Sequence, residues 1–123
     1  MKKRIALLAA LVGVLGSVFV GIGAASTGSS AKARTITVTA TDFHFRLSST
    51  IGVKHGVPYI FKLVNKGAAL HNFDIQGVKA TKVIAPGKTV SMTVVFKKAG
   101  KFMYVCDVPR HIELGMVGTL RVR

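Results

Sequence analysis

Strict two-residue alternation of apolar and polar side chains is the feature that most constrains the fold of this chain. It is clearest over residues 34–41, where Ile36, Val38 and Ala40 alternate with threonines. A period of two places alternate side chains on opposite faces of an extended strand, and β-branched residues favour that conformation. This segment is therefore predicted to be a strand with one buried face.

The same alternation recurs along the rest of the chain. Phe43 and Phe45 extend the first pattern, and further strands are predicted at about residues 57–63, 73–75, 90–96, 102–106 and 116–122. Turn signals such as Pro86-Gly87 separate them, and no window after residue 33 shows a helical period. Seven to eight short strands at this spacing predict an all-β fold, a Greek-key β-sandwich or barrel, over residues 34–123.

Residues 1–33 have a different character. Basic residues at positions 2–4 precede an apolar run that extends to Val20, and small residues follow, which is typical of an export signal. An uncleaved anchor helix is the alternative, because about 18 apolar residues can span a bilayer. We expect residues 1–33 to be an export signal peptide or a membrane anchor with a short linker, and the remainder to be exported to the periplasm or another extracytoplasmic membrane face.

The chain is strongly basic, with 18 basic and 4 acidic residues and a net charge of +14. Residues 1–33 hold four of the basic residues, so a net charge of +10 remains on the exported part. A positive charge favours acidic partners. The basic residues are not clustered with aromatic residues as base stacking requires, and single lysines on strands discourage aggregation. We expect no nucleic-acid binding, and we expect a monomer.

Four side chains that can bind metal occur in a specific order. Cys106, His111 and Met116 are separated by four residues each, and His71 lies upstream at the junction of a loop and a short strand. Each residue alone has an ordinary structural explanation, such as a buried cysteine or a core methionine. The single cysteine excludes an internal disulfide and sites that need several thiolates. One thiolate, two imidazoles and a thioether are the ligands of a blue-copper centre, which predicts one copper ion here.

At these residues the sequence resembles the cupredoxin family, of the plastocyanin, azurin and auracyanin type. The resemblance covers about residues 34–123 and includes Phe43-His-Phe45, the step from His71 to Phe73, and the loop 106–116. It implies a cupredoxin-like domain in which copper is bound in one plane by three residues and axially by a fourth. These are His71, Cys106 and His111 in the plane and Met116 on the axis.

The resemblance also implies roles for neighbouring residues. The backbone N–H groups of Asn72 and Val108 are expected to donate to the Cys106 sulfur, and the Asn72 side chain to connect two ligand loops. Many relatives have glycine where Arg110 precedes His111. We expect this cation to attract an acidic or anionic redox protein to the exposed edge of His111; a solvated arginine without a partner is the alternative.

The sequence also predicts roles for other residues around the predicted centre. A small apolar docking patch is expected around the same edge of His111, formed by Ala68, Ala69, Leu70, Ile112 and Leu114. Weak encounters of small area are usual for redox partners. His44 and His55 are predicted to face solvent and to take no part in metal binding.

The predicted function is that of an exported type 1 copper protein that carries one electron between redox proteins. The alternative is a periplasmic protein for copper delivery or storage; the absence of Met-rich or His-rich tracts favours the carrier. No enzyme activity is expected, because copper oxidases and nitrite reductases need more copper sites and more domains. Zinc tolerates Cys and His ligands, but methionine is an unusual ligand for zinc.

Overall fold

The computed structural model describes residues 32–123, together with Gly13, Gly16 and Gly23 as isolated positions. The predicted export signal or anchor lies almost entirely outside the described residues, so that prediction and the division of the chain at residue 33 stay predictions. Over the described residues, no helix is long and apolar enough to cross a membrane.

Eight strands form the fold, in agreement with the prediction. They are β1 (Arg34–Thr41), β2 (His44–Leu47), β3 (Pro58–Asn65), β4 (Asp74–Ile75), β5 (Lys79–Ala80), β6 (Thr89–Val95), β7 (Gly100–Val105) and β8 (Val117–Val122). One sheet has the order β2-β1-β3-β6 and the other has the order β5-β4-β7-β8. The β1 and β3 strands are parallel, and every other named pair is antiparallel. The all-β sandwich is therefore confirmed.

The alternating residues form the core as the sequence predicts. Along β1, Ile36, Val38 and Ala40 are buried, whereas the threonines between and beside them are exposed or half-buried. Inward-facing residues of both sheets belong to one hydrophobic cluster. Phe61 of the first sheet stacks on Phe73, which precedes β4 of the second, with ring centroids 5.8 Å apart. Burying a side chain of this size stabilises the fold by about 1.5–3 kcal/mol.

Several strand boundaries differ from the prediction. The chain turns after Thr41, so Phe43 does not continue the first strand, and β2 begins at His44 antiparallel to β1. Cys106 and Met116 lie one residue outside β7 and β8, where the Cys106 N–H donates to the Met116 carbonyl at 3.1 Å. The β5 strand was not predicted, because two residues are too few to show a period.

The strand directions give the molecule two ends. One end, which we call the ligand end, contains residues 41–44, 65–72 and 105–117, where β1, β3 and β7 finish and β2 and β8 begin. The opposite end contains residues 32–34, 48–58, 96–101 and 121–123. There the Gly56 N–H donates to the Phe96 carbonyl and the Arg123 N–H to the Val53 carbonyl. These bonds hold the connecting segments of both sheets together.

Candidate metal centre

Three of the four predicted ligands meet at the ligand end. The donor atoms of His71, Cys106 and His111 all lie within 4.8 Å of one another, and all three residues are buried. The Cys106 sulfur is 3.3 Å from Nδ1 of His111 and 3.8 Å from Nδ1 of His71. Nitrogen and sulfur ligands bind a metal at about 2.0–2.3 Å, so two ligands of one ion lie roughly 3–4 Å apart. The separations therefore fit a shared metal ion.

The backbone holds each of these residues in place. The β7 strand delivers Cys106 directly after its last residue, and an isolated bridge pairs His71 with Ile84 through hydrogen bonds of 3.1 and 2.8 Å. The His111 N–H donates to the Val108 carbonyl at 3.1 Å, within the same loop. Because these constraints come from the main chain, the positions of the donor atoms do not depend on the metal alone.

Met116 lies next to this group through the backbone. Its N–H donates to the His111 carbonyl at 2.9 Å, and its carbonyl accepts the Cys106 N–H. The residue is fully buried and belongs to the hydrophobic core. The fold thus brings the fourth predicted ligand beside two of the others, and the axial role of its sulfur stays a prediction.

Asp42 is a functional residue that the sequence reasoning missed. Its Oδ1 lies 2.7 Å from Nε2 of His71, and its carboxylate also accepts the N–H groups of Ala68 at 2.8 Å and Ala69 at 3.2 Å. The Ala68 bond, followed by the bond from His71, lowers the pKa of Asp42. An ionised carboxylate only accepts hydrogen bonds, so Nε2 of His71 carries the proton and Nδ1 keeps a lone pair for the metal.

The only sequence signals for Asp42 were its rarity and its position. It is one of four acidic residues, and it directly follows the first alternating segment. Its partner lies 29 positions away, and the contact depends on the turn that ends β1. Neither the spacing nor the residue types predict such a contact.

His111 differs from His71 in its access to solvent. Its Nδ1 faces Cys106, whereas its Nε2 has no hydrogen-bond partner among the described residues and is not a buried atom, so that edge reaches the surface. Burial lowers the pKa of His111. Phe43 packs against this ring in an edge-to-face arrangement with centroids 4.8 Å apart. A neutral imidazole with one exposed edge can bind metal and still contact a partner.

Asn72 connects the two ligand loops, as predicted. Its Nδ2 donates to Oδ2 of Asp107 at 2.8 Å, and its Oδ1 accepts the backbone N–H of Asp107 at 2.7 Å. This reciprocal pair joins the residue after His71 to the residue after Cys106. Donation from the backbone of Asn72 and Val108 to the Cys106 sulfur stays a prediction.

Arg110 adopts a left-handed backbone conformation, with φ of 71°. Glycine enters this region without steric cost, whereas other residues lose about 1–2 kcal/mol. The chain therefore keeps an arginine next to His111 at the expense of local strain. Its side chain is exposed.

The structure also locates the remaining predicted residues. Leu70, Ile112 and Leu114 of the predicted docking patch are exposed, as is Ala68, whereas Ala69 is half-buried. His44 and His55 are exposed and lie outside the metal centre, as predicted.

The donor set fits one type 1 copper ion. The sulfur of Cys106 and two imidazole nitrogens converge among buried side chains, with a thioether residue adjacent in the core. Soft sulfur ligands favour Cu(I) and imidazole serves both oxidation states, so bound copper supplies a one-electron couple. The fit rests on the chemistry of these side chains and on the separations of three of them.

Curated relatives align with part of the chain. A multicopper oxidase, mco, of Staphylococcus aureus is 31% identical over 62 residues, which are 50% of this chain and 14% of the oxidase. The copper-resistant cuproprotein CopI of Pseudomonas aeruginosa is 39% identical over 41 residues, which are 33% of this chain and 23% of that protein. The chain thus spans less than a quarter of the length of either relative.

Fold comparison extends further along the chain. Auracyanin A, a blue copper protein of Chloroflexus aurantiacus, superposes with a TM-score of 0.62 and 22% identity, covering 72% of this chain and 98% of auracyanin A. The TM-score shows that the two proteins share a fold. The family model of the cupredoxin-like domain matches residues 11–119, which is most of the sequence. The chain belongs to the cupredoxin-like domain family.

Proposed function

We propose that this protein is a type 1 copper protein that carries one electron at a time between redox proteins, with His71, Cys106, His111 and Met116 as the copper ligands. One observation supports this most directly. The Cys106 sulfur faces Nδ1 of two imidazoles, one of which is fully buried and the other of which reaches the surface through Nε2. Such a centre is protected from water and still has one accessible edge.

The surrounding residues suit electron transfer because they limit movement when copper changes oxidation state. Asp42 fixes the tautomer and orientation of His71. Backbone bonds hold Cys106, His111 and Met116 within one loop. A site held between the preferences of Cu(I) and Cu(II) rearranges little on reduction, and a small rearrangement permits fast transfer.

The proposed route for the electron is the exposed edge of His111. An acidic or anionic redox protein would dock there, drawn by Arg110 and seated on the apolar patch of residues 68–70, 112 and 114. The exposure of Leu70, Ile112 and Leu114 supports this docking face. We further propose that the protein is an exported monomer at the periplasmic or extracytoplasmic face of a membrane. Residues 1–33 either attach it to that membrane or direct its export. We propose no nucleic-acid partner.

Copper delivery or storage is the second candidate function. The partial likeness to a copper-resistant cuproprotein favours it. The two functions predict different handling of the metal. A carrier should retain copper through many redox cycles, whereas a delivery protein should transfer it rapidly to a high-affinity Cu(I) chelator.

An enzyme role is not proposed. Oxidases and reductases that use several copper centres need many imidazole ligands, and this chain has four histidines. Two of them, His44 and His55, are exposed and lie outside the centre.

Addition of Cu(II) to the purified protein tests the proposal. We expect an intense visible sulfur-to-copper band, narrow copper hyperfine splitting in the electron paramagnetic spectrum, and reversible voltammetry. Cys106→Ser should abolish the colour, and Met116→Leu should keep the colour and shift the potential. Met103→Leu is the matched control, because Met103 is half exposed on β7. A colourless adduct, or equal effects of Met116→Leu and Met103→Leu, would contradict the ligand assignment.

A further inference from the structure

Charge is unevenly distributed between the two ends of the domain. All four acidic residues of the chain lie at the ligand end or next to it: Asp42, Asp74, Asp107 and Glu113. Asp42 contacts His71, Asp107 follows Cys106, and Asp74 pairs in register with Val105, the last residue of β7. Glu113 lies in the loop between His111 and Met116. No carboxylate side chain therefore remains for the opposite end.

The opposite end has exposed cations, six of them in three of its four segments. These are Lys54, Lys97, Lys98, Lys101, Arg121 and Arg123. Lys101 and Arg121 are direct partners in the β7–β8 ladder. The His55 N–H donates to the Arg123 carbonyl at 2.9 Å, which draws the Lys54 segment to the end of β8. We call these six residues the basic end.

The basic end has no neutralising partner within the domain. Among residues 32–123, the one acidic side chain within salt-bridge distance of a basic residue is Asp42, and its partner is His71. Like charges directly opposite each other on paired strands destabilise a sheet. The Lys101–Arg121 pair therefore disfavours the isolated domain slightly, and an external negative surface would relieve that repulsion.

Two cavities at the basic end are lined by both cations and apolar side chains. An open cavity of about 390 Å³ is lined by Val78, Val95 and Phe102 together with Lys97 and Lys98. A second open cavity of about 250 Å³ is lined by Lys101, Arg121 and Arg123 with Gly100 and Val122. Cations beside apolar side chains match the interface of a bilayer, where phosphate groups lie next to acyl chains.

The direction of the chain supports the same placement. The β1 strand begins at Arg34, and Arg34 pairs in register with Tyr59 at the start of β3, so the chain enters the domain at the opposite end. The apolar run of residues 5–20 precedes this entry point in the sequence. Residues 21–33 separate that run from Arg34, and the basic end is the end of the domain at which this segment enters.

We propose that the basic end binds the anionic surface of a phospholipid bilayer and that the ligand end consequently points away from the membrane, where a soluble partner can reach His111. Lipid phosphates would neutralise the six cations. Each lysine or arginine near an anionic bilayer strengthens binding about fivefold, and the attraction falls off within a Debye length of about 10 Å. This surface adds to the proposed function and does not require bound copper.

Lysine footprinting of the full chain tests this orientation. The protein is reconstituted in vesicles of phosphatidylcholine with or without phosphatidylglycerol, treated with an amine-acylating reagent and analysed by mass spectrometry. We expect Lys54, Lys97, Lys98 and Lys101 to react several-fold more slowly on the anionic vesicles, and high salt to remove the difference. Lys66, Lys82 and Lys88, which are exposed at or near the ligand end, should react equally on both.

Two triple variants provide the matched comparison. The first variant replaces three lysines of the basic end, Lys97→Glu/Lys98→Glu/Lys101→Glu, and should abolish the protection of Lys54. The second variant has the same change of net charge, Lys66→Glu/Lys82→Glu/Lys88→Glu, and should preserve the protection of Lys54. Circular dichroism checks that both variants fold. Equal reaction rates on the two vesicles, protection of the ligand-end lysines instead, or stronger protection by soluble polyglutamate than by vesicles would overturn the proposal. Copper spectra are recorded separately, so failure of the copper function is distinguishable from failure of this one.

Discussion

The hydrogen bond between Asp42 and His71 joins the turn after β1 to the loop after β3. Oδ1 of Asp42 lies 2.7 Å from Nε2 of His71, whose Nδ1 faces the Cys106 sulfur 3.8 Å away. The carboxylate thus acts on the predicted metal through the ring between them. Such partners orient a ligating histidine and increase its basicity. Their loss typically lowers metal affinity by about 10–100-fold.

Asp42→Asn should raise the reduction potential and weaken Cu(II) binding. The amide keeps an acceptor for His71 but removes the negative charge. Because that negative charge stabilises Cu(II) more than Cu(I), its loss disfavours Cu(II). A tenfold loss confined to Cu(II) corresponds to about 59 mV for one electron. Voltammetry and chelator competition measure the two effects. Glu113→Gln is the control, since it removes an exposed carboxylate from the ligand loop; equal shifts in both variants would show that only net charge matters.

Gly67→Ala should act in the same direction as Asp42→Asn. A Cβ at this position would meet Oδ1 of Asp42 and would lie 2.8 Å from Nε2 of His71, so the Asp42–His71 bond has to shift. The double variant should be less perturbed than the sum of the single variants, because both changes disrupt one contact. Gly77→Ala serves as the control, with backbone strain at φ of 73° and nothing near its Cβ. Unchanged potential and copper affinity in Gly67→Ala would refute this explanation.

Asn72→Ala should destabilise the copper-free protein by about 1–3 kcal/mol, because it removes both bonds between the ligand loops. Asp107→Ala should cost clearly less, since the backbone N–H of residue 107 still donates to Oδ1 of Asn72. Urea unfolding followed by circular dichroism gives both values. If Asp107→Ala lowered the free energy of unfolding as much as Asn72→Ala, the backbone hydrogen bond would not be what stabilises the link between the ligand loops.

Asp74→Asn should stabilise the protein at neutral pH and have no effect in acid. Burial, followed by the charge of Asp107, raises the pKa of Asp74 above 3.8. The folded state therefore binds this proton more tightly than the unfolded state, so stability falls as pH rises through the window above 3.8. The amide removes that penalty, a gain of about 0.5 kcal/mol or less for a partly exposed group. Urea midpoints at pH 7 and pH 3 test the prediction, and a gain of equal size at both would contradict it.

The strand content and the proximity of three predicted ligands could be predicted from the sequence because both depend on local patterns. Alternation over residues 34–41 and 90–96 requires a buried face whatever the strands pair with. The Cys106, His111 and Met116 spacing lies within one loop between two strands, so short-range sequence order already brings these residues near one another.

Residue type and period are local properties, so the sequence alone determined an all-β domain with alternating buried residues and predicted a set of copper ligands. Only the tertiary structure decided that Asp42 holds His71, that Arg110 is kept in a left-handed conformation, and that the four carboxylates lie at or beside the ligand end while six cations lie at the opposite end. Those features depend on the parallel pairing of β1 with β3 and on which strand ends meet. The contact between Asp42 and His71, 29 positions apart, is set by the joint packing of the strands, and no local pattern encodes it.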